Sequence, residues 1–273
     1  MSGMIAQKKI NGDMELPAFP RVVMQLIDML RNPNIDSNKI EKALRTDPIV
    51  AVEVLRFANS ALYAPTEPIN DLRHSISFLG YRRLHSLMLG IATKVAGGKL
   101  VHPRLNELLW RHSVASGFLT MYFGRELRLD HETAFLSGLL HDIGKIAVAA
   151  VLARLEKKMG IRVTQEDRVV LVEIHHETVG MAVAQHWPLP EAVVSAICCH
   201  HGGEAPARDR TLVAAVELAD RLSYALGYGS PIMPFDVFAI PALTRLNWNR
   251  ELAEEIYSFA VPLTVAELNA LTT

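Results

Sequence analysis

The sequence has few cysteines, few aromatic residues, no charge imbalance and no long hydrophobic run. The only two cysteines, Cys198 and Cys199, are adjacent. Neighbouring cysteines bridge each other only with strain, so a disulfide framework is excluded. Phe, Trp and Tyr make up 7% of the residues. Lys and Arg total 28 against 29 Asp and Glu, a net charge of −1. Nothing in that balance demands nucleic acid or an anionic membrane as partner, and neither is expected. The longest uninterrupted apolar run, Ile146 to Ala153, is far short of a membrane span. The first fourteen residues, MSGMIAQKKINGDM, contain no apolar h-region and no cleavage site, so secretion is not expected and a cytoplasmic protein is. There is no repeat of fixed period and no low-complexity segment.

What is present is enough apolar material for a sizeable core: 50% of the 273 residues are hydrophobic and 21% are charged. Its periodicity is helical. Val22, Val23, Leu26, Ile27 and Leu30 share one face of a first helix, whose start Pro17 and Pro20 bracket. Asp36 or Ser37 can cap a second helix, and Asp47-Pro48 starts a third. The spacing predicts further helices over 71–94, broken near Leu79-Gly80-Tyr81, and over 105–128, 132–155, 173–186, 190–201, 212–227, 249–261 and 265–271. The run Val169 to Val172 could form a short strand, but no hairpin partner flanks it. The fold class is therefore all-α. Four stretches are expected: a loose tail over 1–13, an N-terminal helical lobe over 14–100, a second lobe over 101–226, and a C-terminal extension over 227–273 that adds helices to the second lobe. Gly97-Gly98 and Pro103 punctuate the boundary. Pro231, Pro234 and Pro241 make the extension irregular.

Eleven histidines are many for a neutral chain. His112, His141 with Asp142, His175 with His176, His200 with His201, and Asp220 all fall in otherwise apolar helical or helix-end segments. A buried polar group without a partner costs roughly 2–7 kcal/mol. A shared cation would satisfy many of them at once, and imidazoles mixed with carboxylates suit Fe, Mn, Zn or Ni rather than calcium. Taken singly, each histidine is a hydrogen-bonded core residue or a cap. Cys198 and Cys199 lack structural-zinc spacing and read as small core residues. His74, His85, His102, His131 and His186 show no pattern.

The joint arrangement resembles the HD superfamily of metal-dependent phosphohydrolases: a histidine (His112), a His-Asp doublet (His141, Asp142) and a distal aspartate (Asp220). Its multi-metal branch adds a histidine followed four residues later by glycine, matched by His176 and Gly180, and a His-His pair, matched by His200 and His201. The offset of His175 to that glycine is wrong. HDIGK, with Lys145, is similar to the matching segment of HD-GYP cyclic-di-GMP phosphodiesterases. The segments LPAFPRVVMQLIDML, DPIVAVEVLRFANSALY and INDLRHSISFLGYRRLHSLMLG resemble the signature of the HDOD (HD-related output domain) family, over roughly residues 14–226.

The resemblance implies a bacterial signalling module of two helical lobes, the second HD-like. It implies a metal set of His112, His141, Asp142, His176, His200, His201 and Asp220 holding one or two divalent ions, Fe or Mn first, then Zn or Ni. The partner expected is a signalling protein or a nucleotide. The alternative is an active metal-dependent phosphohydrolase acting on a nucleotide or cyclic dinucleotide. Asp142 would then bridge two ions, Lys145 would pin a phosphate oxygen, and His200 or His201, where not a ligand, would protonate the leaving oxygen. Two departures weigh against cyclic-di-GMP as substrate: Gly202-Gly203 follows the His-His pair where HD-GYP enzymes carry Glu and then GYP, and Leu108 stands where an acidic ligand would precede His112 by one turn. Arg73, His74, Arg82, Arg83 and His85 form a local basic group that reads first as a solvated helix face.

Overall fold

The computed structural model describes residues 21–32, 34–60, 63, 65–187, 189–229 and 235–272. The expectations for Pro17, Pro20, residues 1–13, Pro231 and Pro234 lie outside them. The described residues contain helices and no strands: α1 (Arg21–Leu30), α2 (Ser37–Leu44), α3 (Pro48–Ala58), α4 (Leu72–Leu100), α5 (Pro103–Glu126), α6 (His131–Leu140), α7 (Ile143–Met159), α8 (Gln165–His186), α9 (Glu191–Cys199), α10 (Arg210–Ala225), α11 (Pro241–Arg245) and α12 (Arg250–Thr272). The protein is all-α.

Two compact units divide the chain, one spanning Gly97–Ile256 and the other Phe19–Ala96 with Tyr257–Thr273. The division falls close to residue 100, and the residues from Tyr257 onward group with α1–α3. The two helices expected over 249–261 and 265–271 are one, with Pro262 inside it. A proline costs an interior helix its i→i−4 hydrogen bond, and here the buried Ala260, Thr264 and Leu268 hold the helix together across it.

In the smaller unit, Leu26, Ile27, Ile40, Leu44, Val54, Phe57 and Ile76 are buried. Asp36 caps α2 through the N–H of Asn38, and Asp47 caps α3 through Ile49 and Val50. Gly80 carries the φ of 72° and ψ of 164° that break α4, at the expected place. Asn59 ends α3 and clamps the backbone of Ile69: its amide donates to the Ile69 carbonyl at 2.8 Å, and its carbonyl accepts from the Ile69 N–H at 2.7 Å. Arg73 is ion-paired with Glu41 at 3.0 Å and donates to Asn38, and Arg83 lies over the Tyr63 ring. The basic group is thus partly tied into its own unit.

The larger unit packs α5 against α6 and α10, and α7 against α8. His131 to Met159 is long and apolar enough to cross a membrane by composition, but its apolar window is fully buried inside the protein. The helix expected over 132–155 is interrupted at its centre: α6 ends at Leu140, α7 begins at Ile143, and the His-Asp doublet forms the turn between them. The run Val169 to Val172 is helical, not a strand. Thr164 caps the helix by accepting from the Asp167 N–H, and Glu166 and Asp167 favour its positive first turn. A capped start outweighs the weak strand preference of β-branched residues. The N-terminus of α8 therefore lies eight residues before the expected Glu173.

Candidate metal centre

Each site residue comes from a different place on this helical frame. His112 lies in the middle of α5 and Asp220 in the middle of α10, both fully or almost fully buried. Asp142 occupies the N-cap position of α7 but makes no capping hydrogen bond with its side chain, so the carboxylate is directed elsewhere. His176 projects from α8, and His200 and His201 follow the last residue of α9.

Close helix approach makes the convergence feasible. A Cβ on Gly144 would meet the His176 carbonyl oxygen at 1.9 Å, and one on Gly138 would meet the Ser116 carbonyl oxygen at 2.4 Å. Gly180, the glycine four residues after His176, leaves room for Ile197, whose Cγ2 would lie 2.8 Å from an added Cβ.

The structure brings all seven expected ligand residues together in two groups, His112–His141–Asp142–Asp220 and His176–His200–His201. In the first, His112 Nε2 lies 3.2 Å from Asp142 Oδ2 and 3.1 Å from Asp220 Oδ1, and His141 Nε2 lies 3.4 and 3.3 Å from the same atoms. In the second, His176 Nε2 lies 3.2 Å from His200 Nε2 and 3.0 Å from His201 Nε2. Asp142 joins the two: its other oxygen, Oδ1, lies 3.5 Å from His176 Nε2 and 3.6 Å from His200 Nε2.

The outward nitrogens fix the rings. Nδ1 of His141 donates to the Gly138 carbonyl at 2.7 Å, that of His176 to Glu173 at 2.8 Å, and that of His200 to Ala196 at 3.0 Å. Nδ1 of His112 lies 2.8 Å from the Ser223 hydroxyl. Such partners orient an imidazole so that its Nε2 lone pair faces inward.

The electrostatics of the two groups differ. Burial disfavours the His141 imidazolium, but Asp142 and Asp220 outweigh it and push the group up to about 10. His112 is raised for the same reasons. Burial also works against the two carboxylates, yet Lys145 and His141 for Asp142, and His112 and His141 for Asp220, hold both well below the usual range. In the second group burial wins: His200 is lowered, and His201 is lowered to about 4 with His200 adding to the effect.

These features fit a cation. His176 and His200 each spend their ring proton on a carbonyl, so two lone pairs face each other at 3.2 Å with no hydrogen between them. Asp142 Oδ1 and Asp220 Oδ2 are buried without a hydrogen bond, and Asp142 Oδ2 faces the Lys145 ammonium at 2.8 Å. Unsatisfied carboxylate oxygens beside converging imidazole lone pairs are a donor set for a divalent transition metal.

Lys145 is a buried lysine. It is 2% exposed and contacts Asp142 Oδ2 at 2.8 Å, the Tyr224 hydroxyl at 2.7 Å and Glu173 Oε1 at 3.1 Å. Sequence reasoning missed Tyr224, Glu173 and Ser223. Tyr224 follows Asp220 by one helical turn, the one signal that places it at the site, and its ring lies 4.4 Å from that of His112. Glu173 precedes His176 by three residues on the same helix. His175 is not in either group, which agrees with its exclusion. Leu108 lines a cavity that opens beside His112 and Lys145.

The HDOD domain model matches residues 16–202. The chain belongs to the HDOD family. A crystal structure from Shewanella amazonensis SB2B, provisionally assigned as a metal-dependent phosphohydrolase, shares the fold at a TM-score of 0.75 and 17% identity, covering 99% of this chain and 97% of the other. One from Marinobacter aquaeolei VT8, provisionally assigned to signal transduction, matches at 0.61 and 21% identity, covering 97% and 61%. Among curated proteins, Ribonuclease Y of Thermotoga petrophila is 31% identical over 147 residues, which is 49% of this chain and 24% of that protein. This HDOD chain spans between a quarter and about two fifths of the length of the curated relatives that head its matches, 24% in one case and 42% in another.

Proposed function

We propose that the protein is an HDOD-type signalling regulator whose HD-like unit holds a pair of divalent metal ions, Fe or Mn first, on His112, His141, Asp142, Asp220, His176, His200 and His201. The observation that carries this reading is Asp142, whose two oxygens each face a separate histidine group. A carboxylate so placed could serve two ions at once. The signalling role is supported by family membership and by the assignment given to the Marinobacter structure. A cytoplasmic setting is part of the proposal.

Phosphodiester hydrolysis is the second reading. It is favoured by the completeness of the donor set and by the names carried by the Shewanella structure and Ribonuclease Y. Bound metal would supply Lewis-acid charge and lower the pKa of water towards about 7. The chain's own residues would do the rest. The Nδ1 anchors hold the imidazoles rigid, Lys145 offsets the buried charge of Asp142, and the Tyr224 hydroxyl accepts from Lys145 and keeps its own proton to donate.

Elemental analysis of the full chain after loading with Mn, Fe, Zn or Ni tests the metal. Two ions per chain are expected in the wild type and fewer in His141→Ala and Asp142→Ala. Turnover of bis-p-nitrophenyl phosphate then separates the readings. Full occupancy without turnover on this and other phosphodiesters favours the regulator. A wild type that retains no metal defeats both.

A further inference from the structure

Six of the seven proposed ligands are buried, and one, His201, is exposed. The rings differ in support as well. His112, His141, His176 and His200 each have a hydroxyl or carbonyl partner for Nδ1. Among the described residues, Nδ1 of His201 has no hydrogen-bond partner, while its Nε2 faces His176 Nε2 at 3.0 Å.

What holds His201 is its backbone. Glu177, the residue after His176 on α8, accepts the His201 N–H on Oε1 at 3.2 Å. The same oxygen lies 3.9 Å from His200 Nδ1, too far for a hydrogen bond. Past His201 the chain folds back on the end of α9, where the N–H groups of Gly202 and Gly203 both donate to the Cys199 carbonyl at 3.2 Å. Gly202 has a φ of 92°, and a Cβ on Gly203 would lie 3.2 Å from Cys199 Cα. Both positions therefore favour glycine. The Gly-Gly pair that follows the two histidines is the turn that presents His201.

A ligand leaves a metal most readily where water can take its place and nothing anchors the ring. Outer partners of a ligating imidazole are worth about 10–100-fold in metal affinity. His201 has the exposure and lacks the anchor. The other group, two imidazoles and two carboxylates, is buried throughout.

We propose that the two metal positions are unequal. The ion at His176, His200 and His201 exchanges with solution through the departure of His201, while the ion at His112, His141, Asp142 and Asp220 stays. Glu177 is the positioning residue that sets the rate of exchange. A regulator built in this way responds to the concentration of a divalent ion through its second position. Three imidazoles beside one oxygen of Asp142 suit Zn there. The inference rests on the preceding reading that both groups take metal.

Release of Zn from the loaded full chain into excess colorimetric chelator tests it. The wild type should show two phases of one ion each. Glu177→Ala should speed the fast phase about tenfold and leave the slow phase unchanged. Glu177→Gln keeps a carbonyl oxygen to accept the His201 N–H and should restore the wild-type rate. Alanine favours a helix, so the first variant keeps its fold. His201→Ala should retain the slow ion alone. In chelator-treated protein, amide exchange at His201 should rise in Glu177→Ala and not in Glu177→Gln; no rise would overturn the role of Glu177. Two ions leaving the wild type in one phase, or a Glu177→Ala change that speeds both phases alike, would overturn the inference and leave the preceding reading standing. A wild type that takes up no metal would defeat both.

Discussion

Lys145 and Asp142 are 2% and 3% exposed and lie 2.8 Å apart as a buried ion pair. Removing one partner of such a pair leaves an uncompensated buried charge, at a cost of about 3–5 kcal/mol. Lys145→Met should therefore lower the melting temperature of the metal-free protein sharply, and added divalent metal should restore most of the loss by taking over the neutralisation of Asp142. Thermal melts with and without chelator measure this, and equal losses in both states would contradict it. The histidines carry a pH signature. In metal-free protein the proton on His141 is held up to about 10, against an ordinary value of 6.5. A raised folded-state value means that its stabilisation is complete below about pH 6.5 and fades as the pH climbs towards 10. Metal must displace that proton. Metal affinity should thus rise with pH across the interval from 6.5 to 10, and loading at pH 7.5 should release protons, detectable by titration calorimetry in buffers of different ionisation enthalpy. At this scale the sequence was informative about the ligands, because His and Asp in apolar helices need a partner, and silent about Tyr224 and Glu173, because neither residue type is unusual on a helix.

The elements meet where small residues let them. Gly144 opens the first turn of α7, against the carbonyl of His176 on α8, so the ligand helices touch backbone to backbone. An alanine there has no space at 1.9 Å and must push α8 away. Gly144→Ala should destabilise the protein by about 1–3 kcal/mol or more. It should also reduce metal stoichiometry in the fraction that still folds, because His176 moves with its helix. Chemical denaturation and elemental analysis read the two effects separately, and an unchanged metal content in a folded variant would show that α7 and α8 tolerate separation. The importance of Gly144 was not legible in HDIGK by itself, since nothing local distinguishes a glycine in contact with another backbone from one facing water. The break between α6 and α7 was not legible either. Periodicity runs smoothly through Leu139, Leu140, Ile143 and Ile146, all buried, and only the structure reveals that His141 and Asp142 form a turn between two helices. The start of α8 was missed because Val169 to Val172 favours strands locally, while the Thr164 cap acts from outside that window.

For the whole molecule, every proposed ligand lies in the unit Gly97–Ile256. Ligand binding stabilises the state that binds it, by about 2.7 kcal/mol at a metal concentration a hundred times the dissociation constant. Chelation should therefore raise amide exchange in α5 to α10 and leave the cores of α2 and α3 little changed, as followed by hydrogen–deuterium exchange. Uniform loss of protection would show instead that the two units unfold as one. What the sequence by itself determined was the helical class, the cap at Asp47, the break near Gly80 and, through the family resemblance, the identity of seven convergent side chains, because these depend on local periodicity, cap chemistry and motifs held in order along the chain. Tertiary structure decided that Asp142 spans two histidine groups, that Lys145 is buried and shared with Glu173 and Tyr224, and that the residues from Tyr257 onward group with α1–α3. Those outcomes depend on which surfaces meet between residues far apart in the chain, and the energy that selects among such meetings is packing between elements, which no local pattern encodes.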